Sequence, residues 1–191
     1  TLGLRAALVD SNGAVVDSGI ALAPPSEASQ SPAALYDGTD YFVAWKAYSP
    51  IDGIFASRVS PAGVPLDTPG VCVGAPPQCW TESPSVAFDG NRYFVAWDDD
   101  RSFCPNIYGA RLTRQMSLLD TTGIGISRGV NTQHWSSAAF DGTNYLVTWS
   151  RAQHPVPALH DALAPTQILP TPAGDPQPNP PDDPAAIRLI T

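Results

Sequence analysis

The feature that most constrains this chain is an internal repeat. Three segments align without gaps in their Asp-Gly, Tyr and Trp positions: SPAALYDGTDYFVAW (31–45), SPSVAFDGNRYFVAW (83–97) and SSAAFDGTNYLVTW (136–149). The Asp37-Gly38, Asp89-Gly90 and Asp141-Gly142 pairs are spaced by 52 residues both times. A second module alternates with the first, IFASRVSPAGVPLDTPGVCVG (54–74) and IYGARLTRQMSLLDTTGIGIS (107–127), and a divergent copy, LRAALVDSNGAVVDSGIAL (4–22), opens the chain. Self-similarity at such a period marks an array of identical supersecondary units.

Each unit reads as four short antiparallel strands, a to d. In the second unit, strand a is 85–88 and Asp-Gly makes a tight hairpin turn into strand b, 93–97. Strand b is apolar on both faces, so it lies between stacked sheets. Strand c follows at 107–112 and strand d at about 118–126, with Asn12-Gly13 and Ala62-Gly63 marking c–d turns in their copies. The prediction is an all-β protein of β-propeller-type repeats, about three units; a three-lobed β-trefoil accommodates the same twelve strands.

Composition agrees. Proline (21) and glycine (15) disfavour long helices, and the acids are almost all Asp, a turn residue, with Glu only at 27 and 82. No apolar run is long enough for a membrane helix. The net charge of −8 argues against binding a phosphate backbone. No initiator Met or signal peptide opens the chain, so it reads as a processed or excised segment.

The repeat domain covers 1–149. Residues 150–184 are Pro-rich and predict an extended or disordered insertion, or an interdomain linker. The end, 185–191, resembles strand c and predicts a returning strand. Three blades make too tight a ring, so the count implies half of a six-bladed ring closed by a twin, or part of a longer array. Closure predicts that residues 4–22, a c–d pair without an a–b partner, pack beside 138–149, in one chain or across a two-fold partner.

The motif D-G-x-x-Y-L/F-V-x-W, followed by I-Y-G-A-R-L/V and L-D-x-x-G-I-x-I-S, resembles a repeat family of large secreted proteins of soil bacteria, notably gliding predators. The resemblance spans about residues 4–149 and implies a β-propeller and export to the medium or cell surface. It implies no catalytic activity. One departure is Leu8, which stands in the first copy where strand c otherwise carries Arg.

Repetition sorts the candidate residues. Those present in every unit, Trp45/Trp97/Trp149, Tyr41/Tyr93/Tyr145 and Asp17/Asp67/Asp120, serve the blade as core or turn. Unit-specific residues at the edge shared by the b–c and d–a loops are the functional candidates: Tyr48, Trp80, Asp98, Asp100, Arg101, His134 and Trp135, with Asp52, Glu82 and Arg151 nearby. Exposed aromatics beside carboxylates suit carbohydrate, because ring faces stack on sugar C–H groups while carboxylates accept hydroxyl protons. Asp98, Asp99 and Asp100 could supply oxygens to calcium, although their spacing is not that of an EF-hand. Cys79 and Cys104 sit at one edge and predict a disulfide with Cys72 free, Cys72–Cys79 being the competing pair. His154 and His160 lack a third ligand for zinc. No nucleophile elbow, P-loop or H-E-x-x-H occurs.

The sequence therefore points to a secreted, non-enzymatic binding module with carbohydrate as the favoured ligand and another surface protein as the other partner. The alternatives are a glycan-active hydrolase or its accessory domain, and a structural repeat segment.

Overall fold

The computed structural model describes residues 3–23, 28–48, 51–75, 80–101, 104–129 and 131–152, and the backbone of 188–190. Thirteen strands and no helix are present among them, and no helix is long and apolar enough to cross a membrane. An opening hairpin pairs β1 (Arg5–Val9) with β2 (Val15–Ala21). The first blade is β3 (Ser29–Tyr36), β4 (Tyr41–Ala47), β5 (Gly53–Val59) and β6 (Val71–Gly74), antiparallel in that order. The second is β7 (Thr81–Phe88), β8 (Arg92–Asp99), β9 (Asn106–Thr113) and β10 (Ile124–Ser127). The third is β11 (Gln133–Phe140), β12 (Tyr145–Arg151) and β13 (Arg188–Ile190). Of the three strand a elements, β7 lies against both β3 and β11. This is the blade arrangement of a β-propeller.

Alternation along strand b builds the stack. Phe42 and Ala44 of β4 face the second blade and bury against Tyr93, Val95 and Trp97 of β8. On its opposite face β8 carries Phe94 and Ala96, which bury against Tyr145 and Val147 of β12. Sheets that are covered on both faces need strands that are apolar on both faces, as these are. Full burial of Trp45 and Trp97 contributes roughly 2–3 kcal/mol each on the scale for large apolar side chains. The Asp-Gly turns have Gly38, Gly90 and Gly142 at φ near +90 to +100°, where a side chain would be strained. The preceding Asp closes each turn by accepting two backbone N–H groups, as Asp37 does from Thr39 and Asp40 at 2.8 Å.

The strand d prediction needs correction. The segment 118–126 forms only an isolated bridge, Leu118 to Leu112, before the short β10. The c–d segment is instead clasped by an ion pair, because Asp120 accepts from the backbone N and guanidinium of Arg111, nine residues earlier, at 2.9–3.0 Å. Asp67 holds Arg58 in the same way. Leu8 removes that clasp from the opening hairpin, where Asp17 accepts from the backbone N of Gly19 instead.

Closure within one chain is also corrected. Leu4, Ile20, Leu22 and Ala23 pack on Val43, Trp45, Ala47 and Val59 of the first blade, not on β11–β12. The short connection between β2 and β3 keeps the hairpin beside its sequence neighbour. The strand c place next to β12 is held by β13, through pairs Tyr145–Ile190, Leu146–Leu189 and Val147–Arg188.

Candidate binding rim

Strand a begins and strand b ends at one rim of the stack, and there the repeat diverges. At the strand a position two residues into each blade stand Gln30, Glu82 and His134, paired in register with Lys46, Asp98 and Ser150 of strand b. One step further out stand Ala28, Trp80 and Thr132, joined by backbone bonds to Tyr48, Asp100 and Ala152. Between Gln30 and Ala33, Glu82 and Ser85, and His134 and Ser137 the register slips at a bulge. Each bulge places one residue in the left-handed region: Ser31 (φ 52°), Ser83 (φ 48°) and Trp135 (φ 57°). Bulges re-aim side chains beside functional sites.

The third blade departs most. Its bulge carries tryptophan where the sister blades carry serine, and the indole of Trp135 is 71% exposed. His134 stands beside it at 5.7 Å between ring centroids and meets Trp80 edge-on at 6.3 Å. Asp98 lies beneath. Its Oδ2 is 3.1 Å from His134 Nδ1 and accepts from the backbone N of Trp135 at 3.2 Å. Asp98 is 1% exposed, and its Oδ1 has no partner among the described residues. Burial is the largest influence on this carboxyl and pushes its pKa up to about 6, against the bonds from His134 and Trp135.

A second cluster lies across the first and second blades. Glu82 Oε1 accepts from Tyr48 Oη at 2.9 Å and from Gln30 Nε2 at 3.1 Å, and Gln30 also donates to the Tyr48 hydroxyl. The Tyr48 pKa is pushed up to about 12 by burial, then by the bond and charge of Glu82 and the charge of Asp52. Lys46 is fully buried below, bonded to Asp52 and 3.3 Å from Thr81 Oγ1, with its ammonium 4.7 Å from the Tyr48 ring centroid. Sequence reasoning passed over Gln30 and Lys46. The 52-residue spacing places them in the same rows as His134 and Asp98, and that was the available signal.

Tyr48, Trp80, Asp98, His134 and Trp135 thus meet along one rim, and Asp100 positions one of them. Its Oδ1 accepts from Trp80 N at 2.6 Å and its own N donates to Trp80 O at 3.1 Å. Arg101 is engaged inward. Its Nε and backbone N donate to Asp99 Oδ1 at 2.9 and 3.0 Å, Nη1 donates to Thr122 O at 2.6 Å, and the guanidinium lies 4.1 Å from the Tyr108 ring centroid.

The calcium expectation at Asp98, Asp99 and Asp100 is corrected by strand alternation. Asp98 faces the third blade, Asp99 turns the other way to accept from Trp97 Nε1 at 3.0 Å and from Arg101, and Asp100 faces Trp80. Among the described residues no three His, Cys, Asp or Glu groups converge for a metal. Cys72 on β6 is a half-buried free thiol whose pKa burial raises. The expected Cys79–Cys104 bridge cannot be placed, because Cys79 lies outside the described residues, as do His154 and His160.

No protein-family profile matches the chain, and no curated protein does. Among solved structures, the fold is similar to a thermostable family-43 glycoside hydrolase, with TM-score 0.52 and 14% identity over 79% of this chain and 62% of that one. The likeness is one of fold. That fold is a β-propeller. Two arabinanases also match at lower TM-scores: an exo-1,5-alpha-L-arabinanase from a bovine ruminal metagenomic library (0.43, 17% identity, 74% of this chain and 55% of that one) and native Bacillus subtilis arabinanase (0.45, 14%, 78% and 58%). The chain spans less than two thirds of the length of each solved chain it matches.

Proposed function

We propose that this chain is a carbohydrate-binding module of the β-propeller type that works outside the bacterial cell, with the glycan lying along the rim across Trp135, Trp80 and Tyr48. The observation that carries this reading is Trp135. A non-glycine residue in the left-handed region costs about 1–2 kcal/mol, and an indole 71% exposed buries too little area to offset that cost. The sister blades fill the same position with serine, so blade geometry does not demand tryptophan there. An indole held outward by a buried carboxylate is a platform for the C–H face of a sugar ring. Glu82 beside it supplies an acceptor for sugar hydroxyls. The rim carries the carboxylates Glu82, Asp98 and Asp100, its lysine is buried and Arg101 is tied to Asp99, which favours neutral glycans over uronates.

One observation favours hydrolysis as a second reading. Asp98 and Glu82 are register partners on adjacent strands, and a carboxyl with its pKa near 6 suits a general acid. The likeness to a glycoside hydrolase is compatible with it. Against it, Asp98 is sealed from solvent and its Oδ2 is spent on His134 and Trp135. A glycan array combined with a reducing-sugar assay separates the two. Neutral glycans bound without turnover support the module, and sugar release abolished by Asp98→Asn would establish the hydrolase.

A further inference from the structure

Gln30, Glu82 and His134 occupy one row of the repeat, and they use their polar atoms differently. The first two are bonded to each other and to Tyr48. Gln30 Nε2 donates to Glu82 Oε1 at 3.1 Å, and the same oxygen accepts from Tyr48 Oη at 2.9 Å. His134 has one nitrogen engaged and one open. Its Nδ1 is 3.1 Å from Asp98 Oδ2, while Nε2, on the far side of the ring, has no partner among the described residues and is not buried. The side chain is 25% exposed and touches both indoles of the rim, Trp80 edge-on at 6.3 Å and Trp135 at 5.7 Å between centroids.

Asp98 decides which nitrogen of this ring carries the proton. An ionised carboxylate only accepts, so Nδ1 donates to it, and the neutral imidazole then presents a lone pair at Nε2. The same Oδ2 accepts from the backbone N of Trp135 at 3.2 Å, so one carboxylate holds both the platform and the ring beside it. Asp98 is 1% exposed and is out of a ligand's reach. The imidazole carries its acceptor character out to the rim. A hydroxyl that donates to Nε2 strengthens the Nδ1–H···Oδ2 bond behind it, because hydrogen bonds in a chain polarise one another.

We propose that His134 Nε2 reads the sugar held at Trp135 by accepting a hydrogen bond from one of its hydroxyls, with Asp98 as the positioning residue that fixes the tautomer. This rests on the carbohydrate reading above and narrows it to a glycan with a free hydroxyl at that point. A sugar acetylated or methylated there is disfavoured, since an ester or ether oxygen has no proton to donate, and a site built to bond a hydroxyl discriminates against the analogue that lacks it.

Two experiments test this. Nitrogen NMR of 15N-histidine-labelled protein at pH 8, where Asp98 is ionised, reads the tautomer without any sugar, and His134→Asn identifies the His134 signals among those of the three histidines. A protonated Nδ1 and an unprotonated Nε2 are expected. The reverse tautomer, or a ring protonated on both nitrogens, overturns the proposal. Isothermal titration then compares wild type, His134→Asn and His134→Gln, using cellotetraose, xylotetraose, mannotetraose and the neutral hits of the glycan array. Asparagine puts an amide N–H where Nδ1 stands and keeps the bond to Asp98. Glutamine puts its amide oxygen where Nε2 stands and gives that bond up. Both lose the ring, so the order of the two variants isolates the nitrogen that matters. A sugar that binds wild type should bind His134→Asn about tenfold more weakly, the size of one hydrogen bond, and His134→Gln more tightly than His134→Asn. The opposite order makes His134 an anchor for Asp98 rather than a reader and overturns the proposal, as does equal affinity for all three proteins. The expected tautomer with no sugar bound to wild type overturns the carbohydrate reading, and the reader with it, while the Asp98–His134 pairing stands.

Discussion

Replacing Asp98 by asparagine removes a charge that the fold holds at a loss. The carboxylate is 1% exposed, one of its oxygens is unpartnered among the described residues, and its pKa stands at about 6 rather than near 4. The folded state therefore binds this proton more tightly than the unfolded chain does. Below about pH 4 the group is protonated in both states and costs nothing; between pH 4 and 6 the penalty grows; above pH 6 it is fully present. A gap of about two pKa units corresponds to about 3 kcal/mol. Asparagine retains an oxygen to accept from Trp135 N, so the platform survives the change. Urea unfolding of wild type and Asp98→Asn from pH 4 to pH 8 should show no difference at the acid end. At pH 8 the variant should be more stable by up to about 3 kcal/mol. A variant less stable at pH 8, or equally stabilised at every pH, would refute the reasoning, because the cost would then not be one of ionisation.

Three further outcomes are expected. Tyr93→Phe should lower stability by about 1.5–3 kcal/mol in thermal unfolding, because the buried, charged Asp37 carboxylate loses the bond that the Tyr93 hydroxyl donates; Tyr41→Phe should change it by less than about 0.5 kcal/mol. Asp120→Asn should cost about 1 kcal/mol at neutral pH by loosening the Arg111 clasp. Arg111 holds the Asp120 pKa below the usual carboxylate range, so this contribution is present above pH 4 and fades as pH falls through that lowered value, which acid titration of the two melting curves would reveal. Trp135→Gly should raise stability by about 1 kcal/mol in chemical denaturation, since glycine relieves the left-handed backbone.

Much of the fold is legible in the repeat. Asp-Gly pairs mark the a–b hairpins, and the doubly apolar strand b around Phe94, Val95 and Trp97 announces stacked sheets. The rim was legible in part, because Trp80 and His134 fall in rows that differ in every unit and Trp135 replaces a serine that its sister units keep. Three things were not. The left-handed bulge at Ser31, Ser83 and Trp135 carries no glycine to signal it. The opposite orientations of Asp98 and Asp99 follow from strand alternation, but only once β8 is known to extend through Asp99. The Tyr93–Asp37 latch joins residues 56 apart in the chain, and such a pair cannot be read before the stacking order of the blades is known.

The central claim is that Trp135 is a sugar platform rather than a structural residue. Isothermal titration of neutral oligosaccharides from the array hits into wild type and Trp135→Ser tests it directly, since serine is what the sister blades carry at that position. Binding to wild type should weaken at least about tenfold in the variant, the loss of one well-placed aromatic contact, while the melting temperature holds or rises. Equal affinity in the two proteins would contradict the account.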